Sequence, residues 1–398
     1  MKRFEKSFTQ QESIPESGIE AAVDVMRSGR LHRYNAIADE KTPAELLELE
    51  FAEYLGVPYC LACSSGGYAL HIAMRAAGVK AGDKVLCNAY TLAPVPGAIH
   101  NSGAVPVLVD VAEDYCIDLD DLEVKAKDSG ARFFMLSHMR GHLADMERIV
   151  AICKRYDLFL IEDCAHTMGA SWNGVKSGTF GDIACFSTQT YKHINSGEGG
   201  LLTTTHPEVM AKAILYSGSY MLYERHLAAP AQHVFADVRY DTPNYSGRMD
   251  NLRAAILRPQ LIDLERQCER WNARYAVLEK VFRSCEDIYI PVRPEAEQFV
   301  ASSIQFSLPN YTPEQIMILI QQCADQGVML KWFGGATPEG YTSRYDSWRY
   351  IQDMPQLDKT EKVLSTLMDM RIPLTFDEAD CQLIAEIIIE VIDNGNKL

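Results

Sequence analysis

The segment most informative about chemistry has a lysine just before a glycine-rich turn. Lys192 lies in FSTQTYKHINSGEGG, residues 186–200, just beyond a predicted strand. Neither helix propensity nor core packing explains a lysine there. A desolvated pocket lowers the pKa of a lysine amine and makes it a nucleophile, for example toward an aldehyde cofactor in a Schiff base. The alternative is a solvated surface lysine, so other segments must decide.

An acid follows another predicted strand. The run LFLIED ends in Glu162 and Asp163 and continues into Cys164, Ala165 and His166. Open α/β sheets bind ligands at the carboxyl ends of their parallel strands. A carboxylate there can keep the ring nitrogen of pyridoxal phosphate protonated, so that the ring acts as an electron sink. A helix N-cap explains the acid about as well.

Small residues before a predicted helix form a candidate phosphate site. Ser65, Gly66 and Gly67 precede the helical pattern that begins near Tyr68. Exposed N–H groups and the positive end of the helix dipole bind phosphate at such places. Ser187, five residues before Lys192, could add a hydroxyl. Serine and glycine also simply cap helices, so this signal is weak alone.

A basic cluster follows a third strand, in SHMRGHLADM. It contains His138, Arg140 and His142. The guanidinium of Arg140 could bind a carboxylate through two parallel hydrogen bonds, which would favour an acidic substrate. The alternative is a salt bridge from Arg140 to a nearby acid such as Asp145 or Glu147.

The elements that must position these residues follow an α/β rhythm. Helical patterns alternate with short apolar runs, namely KVLCNAY, AVPVLVD, RFFMLSH, LFLIED, IACFS and LLTTT. This pattern predicts a largely parallel sheet covered on both faces. From about Asp250 to Phe282, apolar residues at three- and four-residue steps predict one long helix. DIYIPV and SIQFSLP beyond it read as strands. We expect a large domain at 1–255 and a smaller α+β domain at 256–398.

Composition excludes several classes of protein. Among 398 residues, 54 acids and 38 bases give a net charge of −16, which would repel a nucleic acid. The 11 cysteines are scattered, which fits free thiols in a reducing cytosol. The pair Cys60 and Cys63 lacks the further ligands of a zinc site, so no metal is expected. We expect no membrane span or targeting segment. Leu202 stands where the third glycine of a nicotinamide-binding G-x-G-x-x-G should be.

Taken in order, these segments resemble the DegT/DnrJ/EryC1 family of pyridoxal phosphate-dependent sugar aminotransferases. The resemblance runs from about Ile19 to Asp393 and includes SGRLHRYN, LELEFAEYLGV, SSGGYAL, DKVLCNAYTLAPVPGAI, SHMRGHLADM, IEDCAHTMGA, GDIACFSTQTYKHINSGEGGLLTT and RMDNLRAAILRPQL. It implies fold type I of the pyridoxal phosphate-dependent transferases, which is the aspartate aminotransferase fold. In that fold a large domain with a mostly parallel seven-stranded sheet precedes a smaller C-terminal α+β domain.

The resemblance also implies the catalytic roles. Lys192 would bind the cofactor covalently and later carry protons. Asp163 would pair with the pyridine nitrogen, and His166 would lie beside the ring hydroxyl. The phosphate would lie on the Ser65, Gly66 and Gly67 loop, with help from Ser187.

Two further cofactor contacts depart from the pattern of relatives. Leu92 stands where relatives usually place an aromatic ring over the cofactor, and Tyr90 could substitute for it. Ser246 stands where relatives have an asparagine that reaches the partner subunit's phosphate, and Asn244 lies two residues earlier. Both positions are therefore candidates for the cross-subunit contact.

For substrates, the resemblance implies an amino donor, L-glutamate or L-glutamine, and a keto or aldehydo sugar as acceptor. His32, Tyr34, Arg140 and His193 are the candidate substrate-binding residues. The active site would be completed in a homodimer. We expect the acceptor to carry an acid group, for example an oxidised 3-deoxy-octulosonate.

Three alternatives to this function remain open. The acceptor could be a nucleotide-linked keto sugar or a cyclitol. A sugar dehydratase would replace the lysine by histidine, and His193 lies next to Lys192. A non-catalytic regulatory homologue would be expected to have lost Lys192 or Asp163.

Overall fold

The computed structural model describes residues 2–335 and 344–395. Its helices are α1 (Glu16–Ser28), α2 (Pro43–Leu55), α3 (Gly66–Ala76), α4 (Pro94–Asn101), α5 (Leu119–Asp128), α6 (Met146–Tyr156), α7 (Pro207–Ser217), α8 (Gln232–Val238), α9 (Asn251–Ile262), α10 (Leu264–Phe282), α11 (Pro313–Asp325), α12 (Asp358–Leu364) and α13 (Glu378–Gly395). Its strands are β1 (Tyr59–Cys63), β2 (Lys84–Asn88), β3 (Val105–Val109), β4 (Phe133–Ser137), β5 (Phe159–Asp163), β6 (Ser171–Trp172), β7 (Val175–Lys176), β8 (Ile183–Ser187), β9 (Gly200–Thr204), β10 (Glu297–Gln298), β11 (Ser303–Ser307), β12 (Lys331–Trp332) and β13 (Leu367–Arg371).

A seven-stranded sheet in the order β1-β9-β8-β5-β4-β2-β3 forms the centre of the larger part. The neighbours from β8 to β3 pair in parallel, and β9 pairs antiparallel with both β1 and β8. Alternate residues of β4 enter separate cores, with Phe134 and Leu136 on one face and Phe133 and Met135 on the other. Because both faces are buried, the strands are almost continuously apolar. The predicted α/β fold with a mostly parallel sheet of seven strands is confirmed.

A smaller antiparallel sheet, β11-β13-β12, lies in the C-terminal part. It shares a core with α10, α11 and α13. Phe4 and Phe8 near the start of the chain join this core and contact Phe376 edge-on, at ring-centroid distances of 4.9 and 5.0 Å. The N-terminal residues therefore lie against the C-terminal part. The division at residue 255 stays a prediction, and it would fall inside α9.

The expected single long helix is two helices. It breaks at Asp263, which ends α9 and precedes α10. Pro259 lies within α9, where it removes a backbone donor and disfavours helix continuation. The carboxylate of Asp263 accepts hydrogen bonds from Arg266 and Gln267, one turn into α10.

Strand expectations mostly hold, with two differences. The six runs of the large sheet and SIQFS form strands, whereas DIYIPV contributes only an isolated bridge between Tyr289 and Ser307. Strand β1 was not expected as a separate strand. Within the described ranges, the structure has no helix with both the length and the apolar character needed to cross a membrane.

Candidate active site

The carboxyl ends of the parallel strands meet at one edge of the large sheet. Ser137 ends β4 and is in register with Asp163, the last residue of β5. Asn88 at the end of β2 exchanges two hydrogen bonds with the backbone of Ser137, of 2.9 and 3.0 Å. Ser187 ends β8 on the other side of β5. Polar side chains that are distant in sequence therefore share this edge.

Lys192 is presented by a loop between β8 and β9. Turn hydrogen bonds tie the loop together, including Lys192 N–H to the Gln189 carbonyl at 2.9 Å and Thr188 N–H to the Gly199 carbonyl at 2.9 Å. A Cβ on Gly199 would lie 2.2 Å from Thr188 Oγ1, so only glycine fits there. This close approach explains the glycine-rich sequence after the lysine.

The loop brings Lys192 to His166 and Asp163. Lys192 Nζ lies 3.0 Å from His166 Nε2. Asp163 accepts a hydrogen bond from the Ala165 backbone N–H at 3.1 Å, and the Ser137 hydroxyl is 3.4 Å from its other oxygen. The three residues predicted to be catalytic are thus brought together around one cavity.

Burial shifts the protonation of all three. Burial, reinforced by Arg140, lowers the pKa of Lys192 to about 7, although Asp163 opposes the shift. Burial and the nearby Lys192 hold the pKa of His166 well below its usual value, so this imidazole is neutral. Burial raises the pKa of Asp163, although the Ala165 N–H and Lys192 oppose it. A cation placed in the cavity next to Asp163 would favour its ionised form.

A cavity of about 360 Å³, called here the cofactor cavity, lies over this sheet edge. Ser65, Gly66 and Gly67 line it together with Asp163, His166, Ser187 and Lys192. Ser65 caps α3 by accepting from the Tyr68 N–H at 3.0 Å, which points the helix N-terminus at the cavity. A Cβ on Gly66 would lie 2.8 Å from Ser187 Cβ. The predicted phosphate-binding residues therefore converge.

A second cavity of about 380 Å³, called here the substrate cavity, adjoins the first. The two cavities share the lining residues Leu92, Pro94, His166, Gln189 and Lys192. Much of the remaining lining comes from the N-terminal segment and the C-terminal part of the chain, including Gln11, Trp271, Ser302, Ser303, Lys331 and Arg371. Lys192 therefore faces both cavities.

Arg140 lines the substrate cavity, but its charge is already paired. Its guanidinium lies 2.6 Å from Asp369 on β13. The other Asp369 oxygen accepts from Gln305 Nε2 at 2.7 Å, and Gln305 Oε1 is 2.9 Å from His142 Nε2. The partner is thus a residue of the C-terminal sheet rather than Asp145 or Glu147. Asp145 instead caps α6 through the Arg148 N–H.

Of the other candidates, Leu92 lines both cavities and Tyr90 lies behind it. The Tyr90 ring packs edge-on against Phe333 at 5.1 Å in the core. Tyr34 is buried, with its hydroxyl 2.8 Å from His226 Nε2, and the exposed His32 packs against the Tyr34 ring. Neither lies among the described lining residues of the two cavities.

The basic residue between His32 and Tyr34 is also structural. Arg33 is fully buried and forms two 2.9 Å hydrogen bonds with the carboxylate of Glu48. Such a bidentate pair leaves no net charge for a substrate. Arg33 in the SGRLHRYN segment therefore adds no positive charge to the substrate cavity.

The last three candidates lie outside these two cavities. His193 is buried against Trp271, at a ring distance of 5.2 Å, and lines a small side cavity with Lys192. Asn244 and Ser246 are exposed and bonded to each other, with the Ser246 N–H 2.8 Å from the Asn244 side-chain oxygen. Their contact with a partner subunit stays a prediction.

Several residues that line the substrate cavity are not indicated by any pattern in the sequence. Arg371 ends a short strand, LMDMR, whose pattern did not predict a strand. Gln11, Ser302, Ser303 and Lys331 are common polar residues far from any motif. Gln189 and Tyr191 could have been found, because they lie within the motif that contains Lys192.

Comparisons with known proteins agree with this geometry. The model of the DegT/DnrJ/EryC1/StrS aminotransferase family matches residues 13–388. The chain is 29% identical to GDP-perosamine synthase of Escherichia coli O157:H7 over 310 residues, 77% of this chain and 81% of that protein. It is 30% identical over 284 residues to UDP-N-acetyl-3-dehydro-alpha-D-glucosamine 3-aminotransferase of Acidithiobacillus ferrooxidans, 68% of this chain and 73% of that protein. Three other relatives are matched over 39–58% of their own length.

Solved structures show the same fold. PseC of Helicobacter pylori, an aminotransferase involved in the biosynthesis of pseudoaminic acid, superimposes with a TM-score of 0.83 at 16% identity. The superposition covers 99% of this chain and 100% of PseC. The chain therefore belongs to the DegT/DnrJ/EryC1/StrS aminotransferase family, and it is a pyridoxal phosphate-dependent sugar aminotransferase.

Proposed function

We propose that this protein moves an amino group from L-glutamate or L-glutamine to the carbonyl carbon of a keto or aldehydo sugar that carries an acid group. The observation that supports this most is the position of Lys192, which faces both cavities and lies 3.0 Å from a neutral histidine. An oxidised 3-deoxy-octulosonate is an example of such an acceptor.

The cofactor cavity fits pyridoxal phosphate. A Cβ at Gly66 would lie 2.8 Å from Ser187 Cβ, so the glycine lets the start of α3 and the end of β8 lie side by side at the cavity, where both can reach one phosphate. The raised pKa of Asp163 leaves this buried carboxyl in need of a cation, which a protonated pyridine nitrogen supplies. When bound, the cofactor supplies the electron sink that stabilises a carbanion at the substrate carbon.

The chain's own residues supply binding and proton movement. Lys192 would hold the cofactor. In the chain itself, burial lowers the pKa of Lys192 to about 7, so near neutral pH its Nζ could take a proton from one carbon and return it to another. The Nε2 atom of His166 lies within hydrogen-bond distance of this amine, at 3.0 Å, and positions it. The α3 N-terminus and the hydroxyls of Ser65 and Ser187 would bind the phosphate.

The alternatives are less well supported. A dehydratase that uses a histidine in place of the lysine would need His193 in the cofactor cavity, yet His193 is buried beside Trp271. A regulatory homologue that has lost its chemistry would not need Lys192 and Asp163 in this arrangement. A nucleotide-linked keto sugar or a cyclitol remains the alternative acceptor class.

Homodimer formation and a cytosolic location belong to this proposal. The candidate cross-subunit residues Asn244 and Ser246 are exposed in the single chain, as such a contact requires. A sedimentation experiment tests the dimer. A monomer with full activity at low concentration would contradict it.

The experiment that tests the function is an acceptor panel. The holoenzyme is supplied with L-glutamate or L-glutamine and with sugar acids that bear an aldehyde, neutral keto sugars, nucleotide-linked keto sugars and ketocyclitols. We expect amination of a sugar acid with the highest kcat/KM. Turnover of only neutral or nucleotide-linked acceptors would overturn the acid assignment, and turnover of none would overturn the function.

A further inference from the structure

The described lining of the substrate cavity has an excess of basic over acidic side chains. Three basic side chains besides Lys192 line it, namely Arg140, Lys331 and Arg371. No aspartate or glutamate is among its described lining residues, although the whole chain has a net charge of −16. Cations concentrated in a cleft of an acidic protein raise the local concentration of anions.

Arg140 does not account for this excess, because Asp369 neutralises it at 2.6 Å. In an antiparallel sheet, residues two apart on a strand lie on the same face. Arg371 follows Asp369 by two residues on β13, and Lys331 on β12 is in register with Asp369. Lys331 and Arg371 therefore belong to the same face of the small sheet as the Arg140 partner.

Arg371 is held in place without an acid. Its guanidinium carbon lies 3.8 Å from the centroid of the Tyr191 ring, next to Lys192 in sequence. Among residues 2–335 and 344–395, no carboxylate lies within ion-pair distance of Arg371. A guanidinium stacked on a ring uses its face and leaves the N–H groups at its edge for a planar or tetrahedral oxyanion.

We propose that Arg371 binds the oxyanion of the sugar acceptor, and that Arg140 does not. The neutral hydrogen-bonding groups of Gln11, Ser302 and Ser303 in the same cavity suit the hydroxyls of the sugar. This assignment deepens the proposed function and rests on it. The oxyanion is a carboxylate on a sugar acid or a phosphate on a nucleotide-linked sugar, and the two sources are separated by the test.

The test measures binding to the holoenzyme by calorimetry. The probes are 3-deoxy-octulosonate, its neutral methyl ester and GDP-mannose. The variants are Arg371→Met, Arg371→Lys and Arg140→Met. Arg132→Met is the matched control, because Arg132 also lies over a ring, at 5.7 Å from Phe133, but its side chain is 71% exposed and does not line the cavity.

We expect Arg371→Met to weaken binding of the acid by about tenfold, the loss of one charge-assisted contact, and to change binding of the ester less than about twofold. Arg371→Lys should restore part of the affinity, and Arg132→Met should have no effect. A selective loss for GDP-mannose instead would assign the subsite to a phosphate. Equal losses for acid and ester, no loss at all, or a selective loss in Arg140→Met alone would overturn the proposal.

Failure of the subsite is distinguishable from failure of the proposed function. If the function is wrong, the acid still binds in an Arg371-dependent way, but no acceptor is aminated. If only the subsite is wrong, sugars are aminated and Arg371→Met leaves KM for the acidic acceptor unchanged. The half-reaction with glutamate, monitored by the change in cofactor absorbance, is an additional measurement on the same variants. A loss confined to glutamate would assign Arg371 to the donor and overturn its role toward the acceptor.

Discussion

The two cavities that meet at Lys192 are built in different ways. The cofactor cavity is lined by loops that follow the strands of one sheet, and each loop brings a short cluster of chemically distinctive residues. The substrate cavity combines that edge with Gln11 from one end of the chain and Lys331 and Arg371 from the other. We therefore infer that short sequence motifs determine the class of reaction, whereas the choice of acceptor depends on residues that only folding brings together.

The largest effect is expected at the residue shared by both cavities. Lys192→Ala should lower kcat by about 10⁴-fold, since it removes both the covalent attachment and the proton carrier. Lys176→Ala is the matched control, because the Lys176 amine lies over the Tyr54 ring and hydrogen-bonds the Tyr54 carbonyl. Borohydride reduction and peptide mass spectrometry should find the cofactor on Lys192. Attachment at Lys176 would refute the assignment.

Within the cofactor cavity, Asp163→Asn should lower kcat by about 10²–10³-fold, because the neutral amide cannot stabilise a protonated ring nitrogen. Asp182→Asn is the comparison. Asp182 accepts from the Leu160 N–H at 2.8 Å and from His206, and it does not line the cofactor cavity. Steady-state kinetics of both variants measure the difference. Equal losses would reduce Asp163 to a structural cap.

The pKa of Lys192 predicts how cofactor attachment depends on pH. Only the neutral amine attacks, and with a pKa near 7 its fraction rises about tenfold per pH unit below pH 7 and levels off above it. His166 stays neutral across this range and adds no second step. Stopped-flow absorbance on protein freed of cofactor measures the rate. A midpoint near the usual lysine value of about 10.4 would show that the cavity does not desolvate Lys192.

The smallest effect is expected from the backbone of the phosphate cradle. Gly66→Ala should weaken pyridoxal phosphate binding by about tenfold, because the new Cβ would lie 2.8 Å from Ser187 Cβ and shift it. Gly67→Ala is the control, since its Cβ would meet only Pro94, at 3.8 Å. Equilibrium titration of cofactor fluorescence gives both affinities. An equal loss of cofactor affinity in both variants would mean that the contact with Ser187 does not determine cofactor binding.

Residue patterns in the sequence indicated six of the seven strands of the large sheet and most of the motif residues that line the cofactor cavity. Strands such as β4 and β5 are apolar up to their polar carboxyl ends because both sheet faces are buried, so their residues identify them without tertiary information. The functional side chains Asp163 and Ser187 then follow from position, because each ends a parallel strand and such ends share one edge. Lys192 follows from its motif.

Tertiary structure decided the rest, for reasons of distance and pairing. Whether Arg140 offers its charge depends on Asp369, which is more than two hundred residues away and has no motif around it. Arg33 is likewise a basic residue, but its charge is paired with the carboxylate of Glu48 inside the core. Arg371 gains its place from the antiparallel pairing of β13 with β11, in which it is in register with Ser303, and local periodicity does not reveal this pairing. The type of each charged residue can be seen in the sequence. Whether its charge is available to a ligand depends on the partners that the fold brings within a few ångströms of it.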